Sequence, residues 1–110
     1  VGLAGPYAFD PARYRSTRPI FDHIADVNLT KPITFVSKDA PPFLLLHGDD
    51  DTTVFPRNSA QLAARLRDVG GRVRHQTYPG TGHVGLLIAL SKTLEGRVPI
   101  HQDIGKFLAN

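Results

Sequence analysis

The chain has neither cysteine nor methionine. The first absence removes disulfides, thiolate catalysis and zinc ribbons from consideration. The second makes a chain that opens on Val1 read as processed or cut. No apolar run approaches the roughly 20 residues of a membrane span, and no charged-then-apolar leader stands at the start. The expectation is a soluble, cytoplasmic protein with no membrane span. Aromatic residues are missing from the densest basic group, Arg65, Arg67, Arg72 and Arg74. The formal net charge of +3 therefore reads as solvated surface, and no nucleic-acid partner is expected. With 110 residues, the chain holds one domain at most, and Val1-Gly2-Leu3-Ala4-Gly5 resembles the tail of a strand already under way. The organisation expected over 1–110 is a single partial domain, with most of a larger sheet lying before Val1.

The stretch from 43 to 54 anchors the rest. Phe43, Leu44, Leu45 and Leu46 form an apolar run without polar alternation, which suits a parallel strand covered on both faces. Pro41-Pro42 gives it a clean start, because neither proline donates to a ladder. Gly48 lets the chain turn at the strand's C-terminal end, where open α/β sheets place their chemistry. Asp49, Asp50 and Asp51 follow directly.

Before the anchor, residues 6–42 carry Pro11, Pro19, Pro32, Pro41 and Pro42 and read as a long excursion or cap-like segment between two strands. Ile20, Phe21, Ile24 and Ala25 fall at helical spacing within it, predicting a short helix near 18–25 that packs one face. Tyr7 and Phe9, at its start, are candidates to face a substrate. Beyond the anchor, Pro56 suits a first helical turn; Leu62, Ala63, Leu66 and Val69 make an apolar stripe, and Gly70-Gly71 ends the helix after about four turns. Residues 73–78 alternate like an edge strand. The apolar run at 84–90 predicts the buried start of a helix, and a closing helix from Pro99 carries Ile100, Ile104, Phe107 and Leu108 on one face. Strand, excursion, strand, helix, strand, helix, helix is the order of a right-handed βαβ unit in a mostly parallel α/β sheet.

Two loops follow two successive strands, one carrying Asp51 and the other His83. In a parallel sheet both emerge at one edge, so a carboxylate and an imidazole 32 positions apart can meet as a general-base pair. Three adjacent carboxylates could instead bind a hard cation. Their spacing lacks the alternating ligands and late bidentate Glu of a calcium loop, so neither metal nor cofactor is expected. Asp49 and Asp50 read as a solvated turn. Asp22, Asp26 and Asp39 read as loop or helix-cap residues.

His47-Gly48-Asp49-Asp50-Asp51-Thr52-Thr53-Val54, taken with Tyr78-Pro79-Gly80-Thr81-Gly82-His83, resembles the C-terminal part of α/β-hydrolase fold carboxylesterases and lipases. The resemblance extends to 2–7, 37–42 and 83–90, nearly the whole chain. It implies the C-terminal portion of an α/β-hydrolase sheet, Asp51 as the acid of a catalytic triad, His83 as its base, a structural role for His47, and a small-molecule ester as substrate. One feature of that family is missing. Ser16, Ser37, Ser59 and Ser91 all lie outside any Gly-x-Ser-x-Gly elbow, and no His-Gly-Gly-type oxyanion loop is present. The expected partner is therefore an N-terminal part of the same protein, or a second copy, that brings the nucleophile. Alone, the chain is expected to be close to inert. The alternative is a non-catalytic fragment or interaction module retaining the acid and base residues.

Overall fold

Phe43, Leu44, Leu45 and Leu46 leave a strand no polar face to turn toward water, and the chain places them at the centre of its sheet. The computed structural model describes residues 1–91 and 98–110. Its strands β1 (Gly2–Leu3), β2 (Phe43–Gly48) and β3 (Val73–Tyr78) lie in the order β1-β2-β3. Both pairings are parallel, with Leu45 opposite Gly2 on one side and His75 on the other. This is the α/β arrangement that the sequence predicts, with β3 paired only to β2 among the described residues.

Because side chains alternate across a strand, the anchor feeds two cores. Leu44 and Leu46 join Leu86 and Ala89, on or just after helix α3 (His83–Ile88), and Ile100 of helix α4 (Ile100–Leu108). Leu45 faces the other way, onto Leu62, Ala63 and Leu66. Those three residues are the stripe of helix α2 (Arg57–Asp68). All three anchor leucines are fully buried, each contributing about 1.5–3 kcal/mol of transfer free energy. Helix α2 starts after Pro56 and is closed by Gly70 at φ 81°. Its twelve residues make a little over three turns, shorter than the expected four because Val69 already leaves the helical region.

Three expectations of packing are corrected. Helix α1 (Arg18–Phe21) is a single turn that buries no residue, and Ile20 stays 62% exposed. One turn, with Pro19 as its second residue, is too short to present the stripe its spacing suggested. In α3 only part of the apolar run is core: Leu86 is buried, whereas Val84, Leu87 and Ile88 are exposed. In α4, Ile100 is buried and Ile104 and Phe107 pack against the core, but Leu108 is 71% exposed. At about 100° per residue, Ile104 and Phe107 fall within roughly 40° of Ile100 around the axis, and Leu108 falls about 80° away.

The excursion folds as short 3₁₀ turns, Pro11–Arg13, Val27–Thr30 and Pro32–Phe35, the last of which packs through Ile33 onto the α2 face of the sheet. Asp10 and Asp26 cap two of them by accepting from Ala12 and Asn28 amides, both at 3.0 Å. Tyr7 packs inward. Its ring lies over Gly2 and Gly5, where no Cβ could fit beside it, and packs with Ile33 and Val36 against Leu45. The buried Asn58 side chain, accepting from the Ala8 amide at 3.0 Å, ties the excursion to α2.

Candidate active site

Parallel pairing carries β2 and β3 to a common C-terminal edge, and the loops leaving it are bonded to one another. Asp49 N–H donates to the Tyr78 carbonyl at 3.0 Å and Asp50 N–H to the Thr81 carbonyl at 3.1 Å. The Asp49 carboxylate accepts from Gly80 N–H at 2.7 Å. Asp49 is exposed in a turn, as its sequence context predicts, and its carboxylate in addition ties the two loops together. Gly80 permits that tie by turning at φ 63°.

Behind this tie, Asp51 and His83 meet. His83 Nδ1 lies 2.8 Å from Asp51 Oδ2. A carboxylate can only accept, so Nδ1 carries the proton and Nε2 keeps its lone pair. The His83 side chain is 25% exposed and its Nε2 has no partner among the described residues. Asp51 is only 2% exposed, yet its charge is well met. Oδ1 accepts from the Val54 amide at 2.8 Å and the Thr53 amide at 3.0 Å. Burial alone would push the Asp51 carboxyl upward; the Val54 amide, the hydrogen bond from His83 and the Thr53 amide together outweigh it and hold the pKa below the ordinary carboxylate value.

His47 has no exposed surface and stands behind the acid. Its Nε2 lies 2.8 Å from the Val54 carbonyl, which can only accept, so Nε2 is the protonated nitrogen; Asp51 Oδ2 shares that proton's direction at 3.2 Å. Nδ1 then accepts from the Ser59 hydroxyl of α2 at 2.6 Å. Asp51 Oδ2 therefore sits between two imidazoles. Ser59 and Asp49 were not anticipated: the partner of a serine twelve residues away is set by how α2 docks, which no local spacing records. Replacing His47 by alanine would orphan Ser59 and the Val54 carbonyl. It should lower stability by about 1–3 kcal/mol, with glutamine recovering part of the loss, as read by thermal unfolding of the complete polypeptide.

Among the described residues His23, His75 and His101 make no hydrogen bond to this cluster. His75 is on β3 and His101 is hydrogen-bonded to the Leu90 carbonyl at 3.0 Å. Among the described residues no group of three or more His, Asp or Glu is placed to hold a metal ion, and no helix is long and apolar enough to cross a membrane.

Known proteins share this framework. Residues 10–108 match the Prolyl oligopeptidase family. Esterase LipQ of Mycobacterium tuberculosis is 33% identical over 78 residues, 70% of this chain and 18% of that protein. Acylamino-acid-releasing enzyme 2 of Oryza sativa is 34% identical over 71 residues, 64% of this chain and 9% of that protein. A truncated form of a carbohydrate esterase from gut microbiota superposes with a TM-score of 0.63 at 27% identity, over 86% of this chain and 38% of its own. The chain spans less than a fifth of the length of these curated relatives. Its fold, its paired loops and its match over nearly every residue agree: the chain belongs to the prolyl oligopeptidase family of α/β-hydrolases.

Proposed function

We propose that this chain supplies the acid and base of a serine carboxylesterase, Asp51 and His83, to a nucleophile held on an N-terminal segment of the same protein. The observation that carries the reading is the 2.8 Å contact from buried Asp51 to His83, whose other ring nitrogen is open at the sheet edge. A serine hydroxyl would pass its proton to Nε2 of His83 as the oxygen attacks the ester carbonyl. The resulting imidazolium is stabilised by Asp51, and His83 then protonates the departing alcohol. Water, deprotonated by the same nitrogen, releases the acid. The oxyanion donors belong to the segment that brings the serine.

The shape of the molecule supports that partnership. Strand β1 pairs only with β2, so its outer edge has no neighbour among the described residues. The radius of gyration is 15.1 Å, against roughly 13 Å for a compact domain of this length. An open edge beside an extended outline suits docking of further strands, from an N-terminal segment or a second copy.

The complete polypeptide should take a serine-reactive fluorophosphonate label and hydrolyse 4-nitrophenyl acetate, with peptide mapping by mass spectrometry locating the label outside residues 1–110. If no serine in the native protein labels and no ester turns over, the pair is inherited structure in a non-catalytic module.

A further inference from the structure

Between the excursion and the loop that holds Asp51 lies a cavity of about 780 Å³, within the range of small-ligand sites. The excursion contributes Phe9, Tyr14 and Lys31 to its wall, and the acid loop with the start of α2 contributes Phe55 and Arg57. Phe9 and Tyr14 stack at 4.9 Å between centroids, and Tyr14 is 42% exposed. Phe55 is 41% exposed beneath the Arg57 guanidinium, 4.6 Å from its ring centroid. Large exposed rings gathered around one hollow offer flat faces to a ligand.

The charge around these rings is unbalanced. Among the described residues Asp10 is the only carboxylate lining the cavity, against the cations Arg13, Lys31 and Arg57. Asp10 lies 3.4 Å from Arg13 and 3.9 Å from Lys31. The second distance is an ion pair too long for a hydrogen bond, although the Lys31 side chain is only 18% exposed. Among the described residues the Lys31 ammonium donates no hydrogen bond at the edge of the hollow, and Arg57 has no carboxylate within 4 Å. A planar guanidinium on an aromatic face keeps its edge N–H groups for an incoming anion.

We infer that this cavity binds a carboxylate carried on a ring, the ring lying on the aromatic wall and the carboxylate meeting Lys31 and Arg57. Thr52, Thr53 and Val54 also line the cavity, and the amides of the last two hold Asp51. A ligand seated there rests against the loop that positions the acid. On the esterase reading above, it is the non-reacting arm of the substrate, which makes the substrate class an ester bearing an anionic ring.

Benzoate and benzamide, equal in shape and unequal in charge, test the inference by NMR titration of the complete protein. Benzoate should bind at least about tenfold more tightly, and Lys31→Gln with Arg57→Gln should erase the difference. Shifts should concentrate on residues 9–14 and 52–57. Equal binding of the two probes to the unsubstituted protein, or benzoate binding that survives both substitutions, would overturn it. Failure here beside intact fluorophosphonate labelling removes this inference alone; benzoate binding without labelling leaves the cavity and removes the esterase reading.

Discussion

In the complete polypeptide, His83→Ala should lower kcat on a neutral ester by roughly 10⁴-fold or more, and Asp51→Asn by about 10²–10⁴-fold, with KM changed little. On the proposed mechanism, the first removes the group that takes the serine proton. The second leaves a side chain of the same shape that can donate as well as accept, so the Nδ1–H of His83 is no longer fixed opposite a full negative charge. The two losses should not add, because each substitution disables the same proton transfer. Steady-state kinetics of the single and double variants decide this; a double variant as slow as the product of the two singles would place the residues in separate roles.

Asp51→Asn carries a second signature, in stability. Folding holds the Asp51 carboxyl below its ordinary value of 3.8, so the folded state favours the ionised form. That contribution is fully present above the ordinary carboxylate value and is lost as pH falls through the lower folded one. The stability gap between the parent protein and Asp51→Asn should be widest near neutral pH and should narrow below about pH 4. Denaturant titrations at pH 7 and pH 3 measure it.

Sequence alone carried this chain a long way where a residue's role is set by its near neighbours. The apolar run at Phe43, Leu44, Leu45 and Leu46 admits one fully covered strand, and helix α2 declares itself through Pro56, its stripe and Gly70. Asp51 and His83 were legible because each sits at a fixed distance past a recognisable strand, and parallel strands share an edge. The losses came where tertiary contacts decide. Nothing in the spacing of Ile20 and Ile24 says that helix α1 stops after one turn, and nothing near Asp49 says that its carboxylate reaches Gly80, 31 positions away. Leu108 read as core because the stripe was extended one residue too far around the helix. The cavity was the least visible feature, since Phe9, Lys31 and Arg57 become neighbours only after the excursion folds back over α2.

Gly48→Ala should damage the site more than alanine at any other described glycine. A Cβ at Gly48 would stand 2.0 Å from the Thr81 carbonyl oxygen and 2.7 Å from its carbonyl carbon. Backbone cannot rotate out of the way as a long side chain can, so the two loops must part. The Thr81 carbonyl is also the acceptor for Asp50 N–H, and Asp49 reaches Gly80 from the same turn. Moving Thr81 therefore breaks the ties that set the separation of Asp51 from His83, two residues further along. Overpacking of this kind costs about 1–3 kcal/mol. The catalytic loss should be larger, roughly 10²-fold or more, because a displacement near 1 Å ruins a proton-transfer geometry that a fold can survive. Thermal unfolding beside ester turnover separates the two effects. A variant that unfolds at the parent temperature and keeps parent turnover would show that the edge has room the present geometry denies. A variant folded but slow would assign the glycine to loop closure, with the His83 Nδ1–H resonance moved or lost as the direct sign that its contact with Asp51 has opened.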